Sequence, residues 1–125
     1  MSSVASITKQ LSQEQVQRYA DATGDHNPIH VDEDFAGATP FGGTIAHGML
    51  TLASVSEMMA AAFGEAWLTR GRLRVRFRAP ARTSDSITAS AQEQSSRDGT
   101  RVFAVEVRNQ ADELLVSGTA EVPAA

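Results

Sequence analysis

The chain has 125 residues, 42% of them apolar and 21% charged, with a formal net charge of −4 and no cysteine. That length and balance fit one globular domain, residues 1–125, with a single core, and argue against a disordered tail or a nucleic-acid binder. The missing cysteines remove disulfides, thiolate nucleophiles and most zinc sites. Met1 to Gln10 lacks a basic segment followed by an apolar run, and no stretch reaches the roughly 20 apolar residues of a membrane span. The expectation is a cytoplasmic, metal-free protein with no membrane partner.

In chain order, Ser12 and Gln15 have the form of a capping box, and Leu11 with Val16 has hydrophobic-staple spacing. They predict a helix through Val16, Tyr19 and Ala20 that stops near Gly24. A loop from Gly24 to Thr44 follows, rich in Gly, Pro, Asp and Asn, in which Asp32 caps one turn ending at Gly37. His47 to Phe63 is apolar on nearly every side, which predicts a helix buried all round. Leu73, Val75, Phe77 and Ala79 then alternate with Arg72, Arg74, Arg76 and Arg78, and Ile87 to Gln92 alternates likewise. Asp98-Gly99 is a turn signal ahead of a strand over Arg101 to Arg108, and a last strand runs from Leu114 to Val122. Four antiparallel strands, with Ile7 to Leu11 as a possible fifth, curling around one buried helix make an α+β architecture of the hot-dog type.

The chemistry gathers in Gly24-Asp25-His26-Asn27-Pro28-Ile29-His30. Pro28 cannot continue a helix and holds Asn27 out of helical geometry, so Asp25 and His30 are not neighbours on a helix face. A fixed loop has to bring them together. A carboxylate beside an imidazole can take a proton from water with one group and direct or return one with the other. His47-Gly48 stands where the long helix starts, and a helix N-terminus offers unpaired N–H groups that glycine leaves open to a ligand carbonyl. A carbonyl oxygen that gains negative charge during a reaction needs such donors.

This string, with Ala46-His47-Gly48-Met49 downstream, resembles the MaoC-type (R)-specific enoyl-CoA hydratases over nearly the whole chain, Leu11 to Val122. The resemblance implies a hot-dog homodimer with sheets joined edge to edge. It implies syn addition of water to a trans-2-enoyl-CoA to give the (R)-3-hydroxyacyl-CoA, with no cofactor beyond the coenzyme A of the substrate. It assigns catalysis to Asp25 and His30, the oxyanion contact to the Gly48 N–H, a helix hydroxyl near the substrate to Ser56 and a loop-fixing role to Asn27. Thr44 stands where many relatives place proline, a change that touches loop stiffness.

Several residues have plainer readings. His47 serves hydrogen bonding within the loop as readily as substrate contact, and Ser56 can bond back to a carbonyl one turn earlier. Zinc held by His26, His30 and His47 is rejected, because Pro28 denies the first two a shared helix face. Arg70, Arg72, Arg74, Arg76 and Arg78 share one parity. They read as a solvated outer face paired with nearby Asp and Glu, ahead of a dock for coenzyme A phosphates or an acidic acyl carrier protein. Three rivals share the scaffold: a thioesterase, which generally lacks this Asp-Asn-Pro-His loop, a carrier-protein dehydratase, and a non-catalytic acyl-CoA-binding subunit.

Overall fold

The computed structural model describes residues 4–94 and 96–124; the expected domain span of 1–125 extends past it at 1–3, 95 and 125. Strand β1 (Ile7–Gln10) leads into helix α1 (Gln13–Thr23). Ser12 caps α1 by accepting from Gln15 N at 3.1 Å, while Gly24, in the left-handed region at φ 79°, ends it. Leu11 and Val16 are both in the core, as a staple requires. Only half of the capping box forms, since Gln15 Oε1 is buried without a partner among the described residues.

The Gly24–Thr44 stretch carries two helical turns rather than one. Helix α2 (Pro28–Val31) departs from the expectation that Pro28 only breaks helical geometry. Pro28 instead takes the first helical position, where its fixed φ fits and its missing N–H costs nothing. Asn27 stays non-helical at ψ 128° and caps the turn by accepting from Ile29 N at 3.1 Å. Helix α3 (Glu33–Gly37) follows, capped by Asp32 as the sequence predicts.

Helix α4 (Gly48–Phe63) has His47 as its N-cap, and α5 (Glu65–Arg70) follows after Gly64. Strands β2 (Arg72–Phe77), β3 (Ser86–Glu93), β4 (Thr100–Asn109) and β5 (Leu114–Pro123) complete the chain. All pairings are antiparallel, in the order β1-β3-β4-β5-β2, so the fifth strand is present and β2 lies at an edge. Asp98 and Gly99, at φ 53° and 75°, make the β3–β4 turn.

Val55, Met58 and Met59 of α4 pack on Ile87, Phe103, Val105, Val107 and Leu115 of the sheet, the middle of one hydrophobic cluster. Each such side chain contributes roughly 1.5–3 kcal/mol by leaving water. The expectation that α4 is buried all round is corrected. One sheet reaches one side of it, and Ala53, Ala61, Ala62 and Met49 (60% exposed) stay outside. Phe77 holds the inward parity predicted for it but sits at the strand end, 54% exposed, against Gly48. Arg70 closes α5 and so leaves the strand pattern in which it was placed.

Candidate active site

Two adjacent segments and a third more distant in sequence meet at the N-terminus of α4. The first is the Gly24–Asn27 loop, which carries Asp25 on the surface. Asn27 N donates to Asp25 Oδ1 at 3.3 Å, an Asx turn that holds the carboxylate over its own loop. The second is α2, where His30 is half-buried. The third is Ile45 to Gly48, tied down by Ile45 N to Ile29 O at 3.1 Å and Ala46 N to Ala81 O at 2.8 Å.

Hydrogen-bond partners fix the protons of both histidines, because a carbonyl oxygen only accepts. His30 Nδ1 lies 2.8 Å from Ile45 O, so Nδ1 carries the hydrogen and Nε2 of the neutral ring keeps its lone pair. His47 Nε2 lies 3.0 Å from Asp25 O, so there Nε2 is the donor. The two rings stack with centroids 3.9 Å apart and 25° between planes, and Tyr19 tilts against His47 at 4.8 Å. The Asp25 carboxylate and ring nitrogens of His30 and His47 fall within 4.8 Å of one another.

Two depressions flank this point and share His30 and Gly48. One, of about 310 Å³, has apolar walls from Ile45, Phe77, Ala79 and Ala81, with Thr51 and Arg78 also lining it. The other, of about 250 Å³, is bordered by Tyr19, Thr23, Asp25 and Met49. The first backbone bonds of α4 run from Leu50 N and Thr51 N to His47 O. The N–H groups of Gly48 and Met49 therefore have no partner among the described residues, and Gly48 is exposed. Such a site can hold a carbonyl oxygen on the helix N-terminus beside a carboxylate and an imidazole lone pair.

Asp25, His30, His47 and Gly48 come together, and Asn27 caps α2 behind them. Ser56 lies elsewhere: its hydroxyl accepts from Trp67 Nε1 at 2.9 Å and lines neither depression. His26 also turns away, bonding Asp21 at 2.9 Å; this bond, with one from Gln17, holds the Asp21 carboxyl below the ordinary carboxylate range. Among the described residues the groups with metal-ligand spacing are Asp25, His30 and His47, not the trio His26, His30 and His47. His47 Nε2 is spent as a donor to a carbonyl and its Nδ1 is buried, which makes it a poor ligand in this arrangement.

Tyr19, Ile45, Thr51 and Phe77 also border the site, and no sequence motif marks them for it. Thr44 proves to be a junction. Its buried hydroxyl lies 2.7 Å from Gln13 Oε1, 2.7 Å from Glu33 Oε1 and 2.9 Å from Thr83 Oγ1. Gln13 Nε2 in turn donates to His30 O at 2.9 Å. The arginines are exposed, as expected, but the acidic pairing is not found: among the described residues none of Arg70, Arg72, Arg74, Arg76 and Arg78 enters an ion pair. Opposite Arg74 and Arg76 the neighbouring strand places Thr119 and Ser117, and Glu121, opposite Arg72, does not close to ion-pair distance. Arg78 Nε donates to Ser117 Oγ.

Residues 2–114 match the family model described as a MaoC like domain. The chain is 40% identical over 85 residues to 3-hydroxyacyl-thioester dehydratase Z of Mycobacterium tuberculosis, covering 65% of this chain and 56% of that protein. It is 34% identical over 86 residues to the (R)-specific enoyl-CoA hydratase of Rhodospirillum rubrum, covering 69% and 60%. Thus it spans little more than half the length of the curated relatives it matches. The unliganded R-hydratase PhaJ1 of Pseudomonas aeruginosa superimposes with a TM-score of 0.84 at 29% identity, over 95% of this chain and 77% of that one. With the five-stranded antiparallel sheet packed on α4, these likenesses establish the hot-dog fold and the lineage: the chain belongs to the family of MaoC-like hydratase and dehydratase domains.

Proposed function

We propose that this chain is an (R)-specific enoyl-CoA hydratase that adds water to a trans-2-enoyl-CoA, with Asp25 and His30 as the acid–base pair. The observation that carries this reading is the convergence of the Asp25 carboxylate, the His30 ring, whose Nδ1 is bonded to a carbonyl, and the open Gly48 N–H between two depressions. The thioester oxygen accepts from Gly48 N–H, with the positive end of α4 behind it. Water bound between Asp25 and His30 Nε2 gives up a proton to the pair as its oxygen bonds to Cβ. The π electrons of the double bond move to Cα and the thioester oxygen, and the pair delivers a proton to Cα. The sum is H and OH added across the bond, with coenzyme A as the handle and no cofactor.

Acyl carbons fit the apolar depression beside Phe77, Ala79 and Ala81. The uncovered side of α4 and the open edge at β2 support a homodimer. Among the described residues no helix is long and apolar enough to cross a membrane. Run backwards on an acidic carrier protein, the same atoms make a 3-hydroxyacyl dehydratase; the exposed, unpaired arginines of β2 favour an anionic carrier of some kind. The test is loss of enoyl absorbance with trans-2-enoyl-CoAs of increasing length, followed by chiral analysis of the product. Formation of the (R)-3-hydroxyacyl-CoA is expected. An (S)-product, or turnover of carrier-bound substrate alone, would displace the reading.

A further inference from the structure

His47 touches both members of the pair, in two different ways. Its ring is 3% exposed and supports the face of His30 at 3.9 Å, while its Nε2–H holds the carbonyl of Asp25 at 3.0 Å. Asp25 otherwise bonds only within its own neighbourhood among the described residues, to Thr23 and Asn27. The bond from His47 is therefore the tether that fixes the Asp25 loop to the rest of the fold. It reaches across 22 positions in sequence to the residue that caps α4. As that N-cap, His47 makes no side-chain bond to its own helix, although capping is the ordinary use of a polar side chain there. Its other ring nitrogen is buried and has no partner among the described residues, so nothing else in view competes for the side chain.

From this geometry we infer that His47 is a positioning residue, which sets the distance from the Asp25 carboxylate to the His30 ring without itself touching the reacting atoms. The inference rests on the acid–base reading above and gives His47 a part different from substrate contact. One rigid ring does two jobs: donating along its plane it places the peptide of Asp25, and stacking through its face it places the imidazole of His30. Because Gly48 follows directly, the same residue also ties the pair to the helix end that offers the oxyanion contact. A displacement of about 1 Å between such groups costs on the order of 100-fold in rate.

Two substitutions separate the jobs. His47→Gln presents an amide N–H at similar reach and keeps the tether while losing the stacked ring. His47→Phe keeps a flat ring and loses the donor. With crotonyl-CoA, His47→Phe is expected to lower kcat by roughly 10- to 100-fold with KM within about twofold, and His47→Gln to recover most of that loss. A rise in KM at unchanged kcat would mean substrate contact and would overturn the inference, as would wild-type kinetics in His47→Phe. A third measurement does not depend on activity or on the variants folding: long-range ¹⁵N–¹H NMR of the unmodified protein. It should show His47 as the Nε2–H tautomer and His30 as the Nδ1–H tautomer. An Nδ1–H tautomer at His47 would overturn the tether. Absence of turnover with every enoyl thioester would instead remove the acid–base reading, while the tautomers still decide whether the tether exists.

Discussion

Replacing Thr44 by valine preserves shape and removes only the hydroxyl, so it isolates the junction beneath the site. Three oxygens surround that hydroxyl at 2.7–2.9 Å, on α1, on α3 and on the segment before β3. The single hydrogen serves Gln13 or Glu33, and a lone pair accepts from Thr83. A net contribution of about 0.5–1.5 kcal/mol per hydrogen bond gives roughly 1–3 for the two bonds, with about 2 kcal/mol the expected loss. Burial supports the upper half of that range, since Thr44 is 3% and Thr83 9% exposed and water does not readily replace the lost partner. For a chain of this length one kcal/mol corresponds to about 4 °C, so Tm should fall by about 8 °C. Thr44→Ser keeps the hydroxyl and should recover more than half of the loss. Urea unfolding, with an unchanged m value, and thermal melts measure both variants. A Thr44→Val protein within about 0.5 kcal/mol of the parent would refute the view that this hydroxyl joins the three segments.

The remaining predictions concern the pocket and the sheet. In Gly48→Ala the new Cβ would stand 3.2 Å from Phe77 Cε1, a ring exposed enough to shift, so folding should survive. The methyl narrows the approach to the Gly48 N–H, and kcat should fall on the order of tenfold or more; wild-type turnover in the folded variant would contradict the oxyanion assignment. Glu93 accepts two bonds from Arg101 at 2.8 Å, and those bonds hold its carboxyl below the ordinary range. A carboxyl depressed in the folded state contributes stability above its unfolded range and loses it as pH falls through the folded value. Glu93→Gln should therefore be less stable than the parent at neutral pH, and the gap should close in acid. Urea unfolding at the two pH values measures this, and a gap that widened in acid would contradict it.

Local signals in the sequence mapped well onto local structure. Ser12 and Asp32 accept from a backbone N–H three residues on, Gly24 and Asp98-Gly99 act through their own positive φ, and all are found in the roles predicted for them. The period-two runs became strands, because alternation is a property of a strand by itself. What escaped was either ambiguous locally or set by neighbours distant in sequence. A proline that ends one helix can start another, and only the cap at Asn27 decides between the two for Pro28. The composition of α4 says that its surface is apolar but not how much of it a single sheet can reach. Asp25, Asn27 and His30 were legible as a group because one short loop carries them. The tether from His47 to Asp25, the bond from Trp67 to Ser56 and the cluster at Thr44 join residues 22, 11 and 31 or more apart, or 11 for Thr44 and Glu33, and pattern reading has no access to them.

The central claim is that Asp25 and His30 together hold the water that is added. It is tested most directly by single-turnover hydration of crotonyl-CoA with the parent chain, Asp25→Asn and His30→Ala, each checked for native circular dichroism. Both variants should stay folded, since Asp25 is exposed and His30 only half-buried, and both should lose at least about 1000-fold in rate. Parent-like hydration by either folded variant would contradict the account.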